Sequence, residues 1–191
     1  VEVYPLFRPP TATPVGTIPV RTGSAALAVG VDEYREIAYL VTASGVQFVS
    51  LKDGALVAPA VLPRLNTASV VGISPLGRGP FALGLSDGRV IPVEVKFNVS
   101  FPEGRRRVEP ELVAGEPITA DPDGRPISRL AYTRTQSGPL TAASIGPKAL
   151  AVVTVKERKA LIGPSTKEES RQTLPLPIGG EITSLALDSR G

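Results

Sequence analysis

The sequence predicts an all-β fold: a partial, WD40-like β-propeller of about three four-stranded blades plus strands of flanking blades, with a β-sandwich as the alternative. Three observations predict it. An apolar strand centred on a Leu-Ala-like pair recurs at Leu27-Ala28, Val71-Gly72, Leu130-Ala131 and Leu185-Ala186, and after each of the first three come a second strand, a glycine turn and a third strand. The 191 residues include 19 Gly and 20 Pro, too many breakers for long helices but suited to short strands joined by turns. Asp-Gly dipeptides stand at 53–54, 87–88 and 123–124, and Asp-Gly supplies the positive φ that tight turns require. Repeats of this kind mark stacked or radially arranged sheets, and propeller blades run roughly 40–50 residues. The first interval between anchors fits that length. The next two exceed it where charged insertions lengthen the outer hairpins.

Each element follows from the local pattern. Val1 to Pro19 reads as a short alternating strand and then Pro-restricted extended chain. The first unit spans about 24–63. Ala26 to Val31 is a continuous apolar run, as expected of a strand covered on both faces. Asp32 to Arg35 is a polar connection, Ile37 to Val41 the second strand, and Ala43-Ser44-Gly45 its turn. Val46 to Leu51 is the third strand, Lys52-Asp53-Gly54 the next turn, and Ala55 to Leu62 a fourth strand that Pro59 confines to an edge.

The second unit spans about 69–117. Its strands are Val70 to Ile73, Phe81 to Leu85 and Arg89 to Phe97, with Ser86-Asp87-Gly88 as a turn. Period-two alternation puts Val93, Val95 and Phe97 on one face and Glu94 and Lys96 on the other. The arm continues through Phe101 and Arg105-Arg106-Arg107 and returns along Val108 to Val113. The third unit spans about 127–177: Leu130-Ala131-Tyr132, then Leu140 to Ile145, a Gly146-Pro147 turn, and Ala149 to Val155. Lys156 to Arg171 reads as a charged excursion, and Thr173 to Leu176 as a returning edge strand. Ile182 to Asp188 opens a further unit over 181–191. The whole of 1–191 reads as one β-repeat domain cut from a larger chain.

Composition narrows the chemistry. The chain has no Cys and no His, which removes thiol chemistry, the commonest metal ligand and the usual general base. Ser-His and Cys-His nucleophilic machinery cannot be built from it. Ser144 with Lys148 is a formal Ser-Lys pair with nothing to distinguish it from an ordinary turn. Carbohydrate sites lean on aromatic platforms, and the chain has no Trp. Gly77-Arg78-Gly79-Pro80 lacks the third glycine of a phosphate loop and precedes a strand instead of a helix. Asp121-Pro122-Asp123-Gly124 resembles the start of a calcium loop, but the position that needs a bidentate Glu is Tyr132. Asn98-Val99-Ser100 is a formal glycosylation sequon. No enzyme activity, cofactor or metal is expected. The net charge of +3 is small and mixed along the chain, which argues against nucleic acid as a partner. The densest basic feature is Arg105, Arg106 and Arg107, the candidate contact for an anion or a partner.

Two stretches carry a resemblance. Leu140-Thr-Ala-Ala-Ser-Ile-Gly-Pro-Lys-Ala-Leu-Ala-Val-Val-Thr-Val155, followed by a charged arm, and Thr173-Leu-Pro-Leu-Pro-Ile-Gly-Gly-Glu-Ile-Thr-Ser-Leu-Ala-Leu187 resemble the soluble insert of long PstC-type permeases, the large permease subunits of phosphate ABC transporters. The units at 42–49 and 85–90 resemble the WD40-like repeats of that insert, although the Trp-Asp and Gly-His pairs of standard blades are missing. The resemblance implies a non-enzymatic extramembrane scaffold, inserted between the first membrane helix and the permease core. It would belong to an inner-membrane protein, on the periplasmic side. It implies other transporter subunits and a periplasmic phosphate-binding protein as partners, and open sheet edges add self-association. An anion-sensing regulatory domain and a stand-alone propeller-type interaction module are the alternatives.

Overall fold

Apolar runs separated by glycine turns become antiparallel meanders, because each tight turn lays the chain back beside the strand it has just left. The computed structural model describes residues 2–3, 16–17, 25–32, 34–42, 45–61, 68–73, 80–146, 149–158, 166–176 and 180–188. A short pair, β1 (Glu2–Val3) with β2 (Gly16–Thr17), precedes three larger sheets. Sheet I runs in the order β3 (Ala26–Asp32), β4 (Ile37–Thr42), β5 (Gly45–Ser50) and β6 (Leu56–Ala60). Sheet II follows with β7 (Ala68–Ile73), β8 (Phe81–Leu85), β9 (Arg89–Ser100) and β10 (Arg107–Ala114), and β11 (Ile118–Thr119) adds beside the start of β9. Sheet III is β12 (Ile127–Thr135), β13 (Gly138–Ile145), β14 (Ala149–Arg158) and β15 (Thr166–Pro175). All the pairings are antiparallel.

Period-two alternation gives each sheet two faces, and sheet II uses both. Its Phe81, Leu83, Leu85, Ile91 and Val93 pack against Ile37, Tyr39, Val41, Val46 and Phe48 of sheet I. On the opposite face Ala82, Val90 and Ile118 pack against Leu130, Tyr132, Ala143, Ala151 and Val153 of sheet III. The second contact is close at β7, where a Cβ on Gly72 would lie 3.0 Å from the Leu130 side chain. The first strands of the three sheets are neighbours in space, β7 touching both β3 and β12. Three antiparallel sheets of four main strands, the middle one extended by β11, stack in series as an all-β, propeller-like body, consistent with a partial propeller or with sandwich packing.

Several expectations change in detail. β3 is not covered on both faces: Leu27, Val29 and Val31 are each about half exposed, while Gly30 on the other face lies under the Tyr39 ring. A continuous apolar run cannot distinguish a doubly buried strand from one whose second face meets no sheet. The charged excursion after Val155 is largely strand. β14 continues to Arg158, and β15 begins at Thr166, so that Lys156 pairs with Glu168 and Glu157 with Lys167. Charge does not prevent strand formation where both side-chain rows are solvated. Residues 181–188 are irregular, because no neighbouring backbone forms a ladder with them among the described residues. Helical structure among the described residues is one 3-10 turn, Pro102–Gly104. The expected turn residues Ala43, Ser44 and Pro147, and the Gly77–Gly79 segment, lie outside the described residues.

Candidate interaction surface

Phe81, the first residue of β8, pairs with Val93, so from Glu94 onward β9 has β10 alone as its ladder partner. The two strands form a two-stranded ribbon of residues 94–100 and 107–113, roughly 20 Å long at about 3.4 Å per residue, with Phe97, Val108 and Leu112 packed against the core shared with sheet I. Its two faces differ in chemistry. Glu94, Lys96, Asn98 and Ser100 lie on one side, and Val95, Phe97 and Val99 on the other. The register places Leu112, Pro110 and Val108 opposite those three, so the apolar face is apolar on both strands. It emerges gradually from the core: Val95 is 6% exposed, Val99 42% and Phe101 65%. At the base, Phe97 meets Phe48 edge-on with ring centroids 6.2 Å apart, and the Arg35 guanidinium sits 4.6 Å from the Phe97 ring centre. These contacts fix the ribbon against sheet I.

The tip is a tight turn. Gly104 N donates to Phe101 O at 3.2 Å, and Arg105 N to Pro102 O at 2.9 Å. Closing it needs positive φ twice in succession, 52° at Glu103 and 75° at Gly104. Arg105, Arg106 and Arg107 are all exposed here. Arg107 pairs with Glu109 at 2.7 Å, whereas Arg105 and Arg106 have no ion pair among the described residues. The three arginines singled out by sequence are therefore gathered at the end of the arm, next to an exposed aromatic ring.

A second feature is a cleft of about 260 Å³ between sheets II and III, with Pro92, Gly115 and Glu116 on one wall and Arg134, Glu157 and Lys167 on the other. Arg134 pairs with Glu157 at 2.7 Å, and Lys167 with Glu116 at 2.8 Å. The Lys167 bond holds the Glu116 carboxyl below its usual range, and Glu116 raises Lys167. Burial raises the nearby Tyr132 hydroxyl above its ordinary value. The Lys167–Glu116 pair crosses the cleft and ties the two sheets, whereas Arg134 and Glu157 pair within sheet III, from β12 to β14. Sequence reasoning missed them because the partners are 23 and 51 residues apart, with no local spacing to mark them.

The Asp-Gly motifs are structural. Asp121 is almost fully buried, and its carboxylate accepts bonds from the Asp123 and Arg125 amides and from the Arg125 guanidinium at 2.7 and 3.0 Å. Those bonds, the Arg125 side chain first, hold its pKa below the usual carboxylate range. Asp87 bonds Arg89 in the same way at the β8–β9 turn. Ser144 is buried and donates to Gly146 O at 3.0 Å, and Lys148 lies outside the described residues. No group of three or more acidic side chains suited to a metal occurs among the described residues. No helix among them is long and apolar enough to cross a membrane. No protein-family model matches the chain, and no curated protein matches it significantly, so its relatives are not identified by comparison.

Proposed function

We propose that the chain is a non-enzymatic interaction domain, the extramembrane scaffold of an ABC transporter permease for inorganic phosphate. The observation that carries the interaction reading is the β9–β10 ribbon. A packed three-sheet body holds a stiff arm whose outer end exposes Phe101, Arg105 and Arg106. Rigid scaffolds carrying projecting loops are a common basis of recognition. The permease assignment rests on the sequence resemblance at 140–155 and 173–187. In this reading the arm and the inter-sheet cleft face sister subunits or a periplasmic phosphate-binding protein, and transport chemistry belongs to the membrane part of the permease.

The test compares the intact transporter with one from which residues 1–191 are deleted. Loss of a co-purifying subunit or a fall in phosphate uptake is expected. Identical partners and identical uptake would overturn the recognition role. The anion-sensing alternative draws on the same arginines. Against it stands their exposure to solvent at a tight turn. A salt-matched phosphate titration separates the two readings. A ligand that binds the native state must raise its apparent stability, and a rise in melting temperature with phosphate would favour the sensor.

A further inference from the structure

We propose that the tip of the β9–β10 ribbon is a membrane-surface contact, which inserts Phe101 at the headgroup level of an anionic bilayer while Arg105 and Arg106 engage lipid phosphates. Three features of the arm lead there. The apolar stripe Val95, Phe97, Val99 runs outward from a buried base and ends in Phe101, which is 65% exposed and follows the last β9 residue. The ring stands outside the packing that holds Phe97, Val108 and Leu112 on the core. The arginines stand immediately beside that ring. Arg107 is paired with Glu109, which leaves Glu103 against Arg105 and Arg106, so the extremity carries one net positive charge. Arg105 and Arg106 have no ion pair among the described residues, which leaves their guanidinium groups available to phosphate.

The geometry suits a bilayer better than an acidic protein segment. The tip is a tight turn that presents one exposed ring beside exposed arginines. It offers a point that can enter a fluid surface without shape matching. Arginine contributes multiple donors that can engage phosphate bidentately. Each basic residue near an anionic leaflet is worth about 1 kcal/mol, or roughly fivefold in partitioning. Lipid contact also requires short reach, since the attraction fades within about a Debye length. The ring of Phe101 and the side chains of Arg105 and Arg106 are all exposed at the turn, open to such contact. This inference does not depend on the transporter assignment, because any bilayer of suitable charge serves the test.

The chain contains no Trp, so Phe101→Trp creates a single fluorescent reporter at an exposed position. The 191-residue chain carrying it is mixed with phosphatidylcholine vesicles and with vesicles containing about one-third phosphatidylglycerol. Expected are a blue shift and quenching by brominated acyl chains on the anionic vesicles alone, both weakened by raised salt. Arg105→Gln with Arg106→Gln, on the otherwise native chain, should reduce co-sedimentation roughly 25-fold, and Phe101→Ser at least fivefold. Circular dichroism and the melting temperature of every variant confirm that it is folded. No spectral shift on anionic vesicles at low salt would overturn the proposal. So would co-sedimentation indifferent to the three substitutions, or tip-dependent binding to a polyglutamate peptide with none to vesicles. The transporter reading is tested separately by deletion and uptake, so the two can fail independently.

Discussion

Single residues explain why the connections hold. Asp32, Asp87 and Asp121 each fold back on an arginine two to four positions later, fastening a loop with a local carboxylate–guanidinium bond. Asp121 is the most enclosed of the paired carboxylates with a depressed pKa. A depressed folded-state value means the stabilisation is complete above the unfolded pKa, near 4, and is lost as pH falls through the folded value. Asp121→Ala should therefore cost about 2 kcal/mol near neutrality and flatten the acid limb of the stability profile, as measured by urea titrations at pH 7 and pH 3. Asp121→Ala losing as much at pH 3 as at pH 7 would contradict this. Gly30 marks a different constraint. Any Cβ there would run into the Tyr39 ring, whose hydroxyl burial and the charge of Asp32 push up to about 12. Gly30→Ala should destabilise by roughly 1–3 kcal/mol through overpacking, and Tyr39→Leu in the same chain should recover part of the loss. The buried hydroxyls of Thr133 and Thr141 find no hydrogen-bond partner among the described residues. Replacing either by Val removes an unsatisfied polar group of the same shape, and the melting temperature should rise with about 1 kcal/mol of added stability.

At the scale of elements, the ribbon provides an internal comparison. Val95 and Val99 share a face, a strand and a residue type, and differ in burial. Val95→Ala should cost about 2 kcal/mol and Val99→Ala less than about 0.5 kcal/mol, read from chemical denaturation. Equal costs would mean that the outer half of the ribbon is packed in solution. The same strand shows what sequence could reveal. Alternation along 93–97 and the return of the chain after the arginines were readable, because a strand's facial pattern is local. So were the Asp-Gly turns, whose backbone requirement resides in the glycine: Gly54 and Gly88 have φ of 71° and 78°. The solvent-facing stripe on β3 was not readable, because burial depends on whether a second sheet exists. Neither was β11, two residues long, nor the pairing of Lys156–Arg158 with Thr166–Glu168, where side chains give no facial signal. The arginine triplet was visible as composition. Its position at the end of an amphipathic arm required the register.

The whole molecule depends on its middle layer. Sheet II contributes to both apolar cores, and neither outer sheet has a second core of its own among the described residues. Loss of sheet II would expose the inner faces of both neighbours at once, so the three sheets should unfold together. Two native reporters allow a check without mutation: Tyr39 lies in the sheet I core and Tyr132 in the sheet III core. Urea unfolding followed at these two rings, by fluorotyrosine resonances, should give one midpoint. Separate midpoints would show that the outer sheets fold independently. Phe81→Ala, in the middle sheet, should lower the midpoint of both reporters by an amount equivalent to about 3–5 kcal/mol.

β9 changes neighbours along its length: its first residues lie between β8 and β11, and its last eight lie against β10. One continuous backbone thus belongs to the body at one end and to the arm at the other. A pull on the tip along the strand axis loads the ladder bonds in parallel, in shear, instead of breaking them one after another. The arm is accordingly a mechanical lever with no hinge between handle and fulcrum. Displacement at Phe101 is delivered directly to Ile91 and Val93 in the core, and in a force experiment the ribbon should yield only when the middle sheet does.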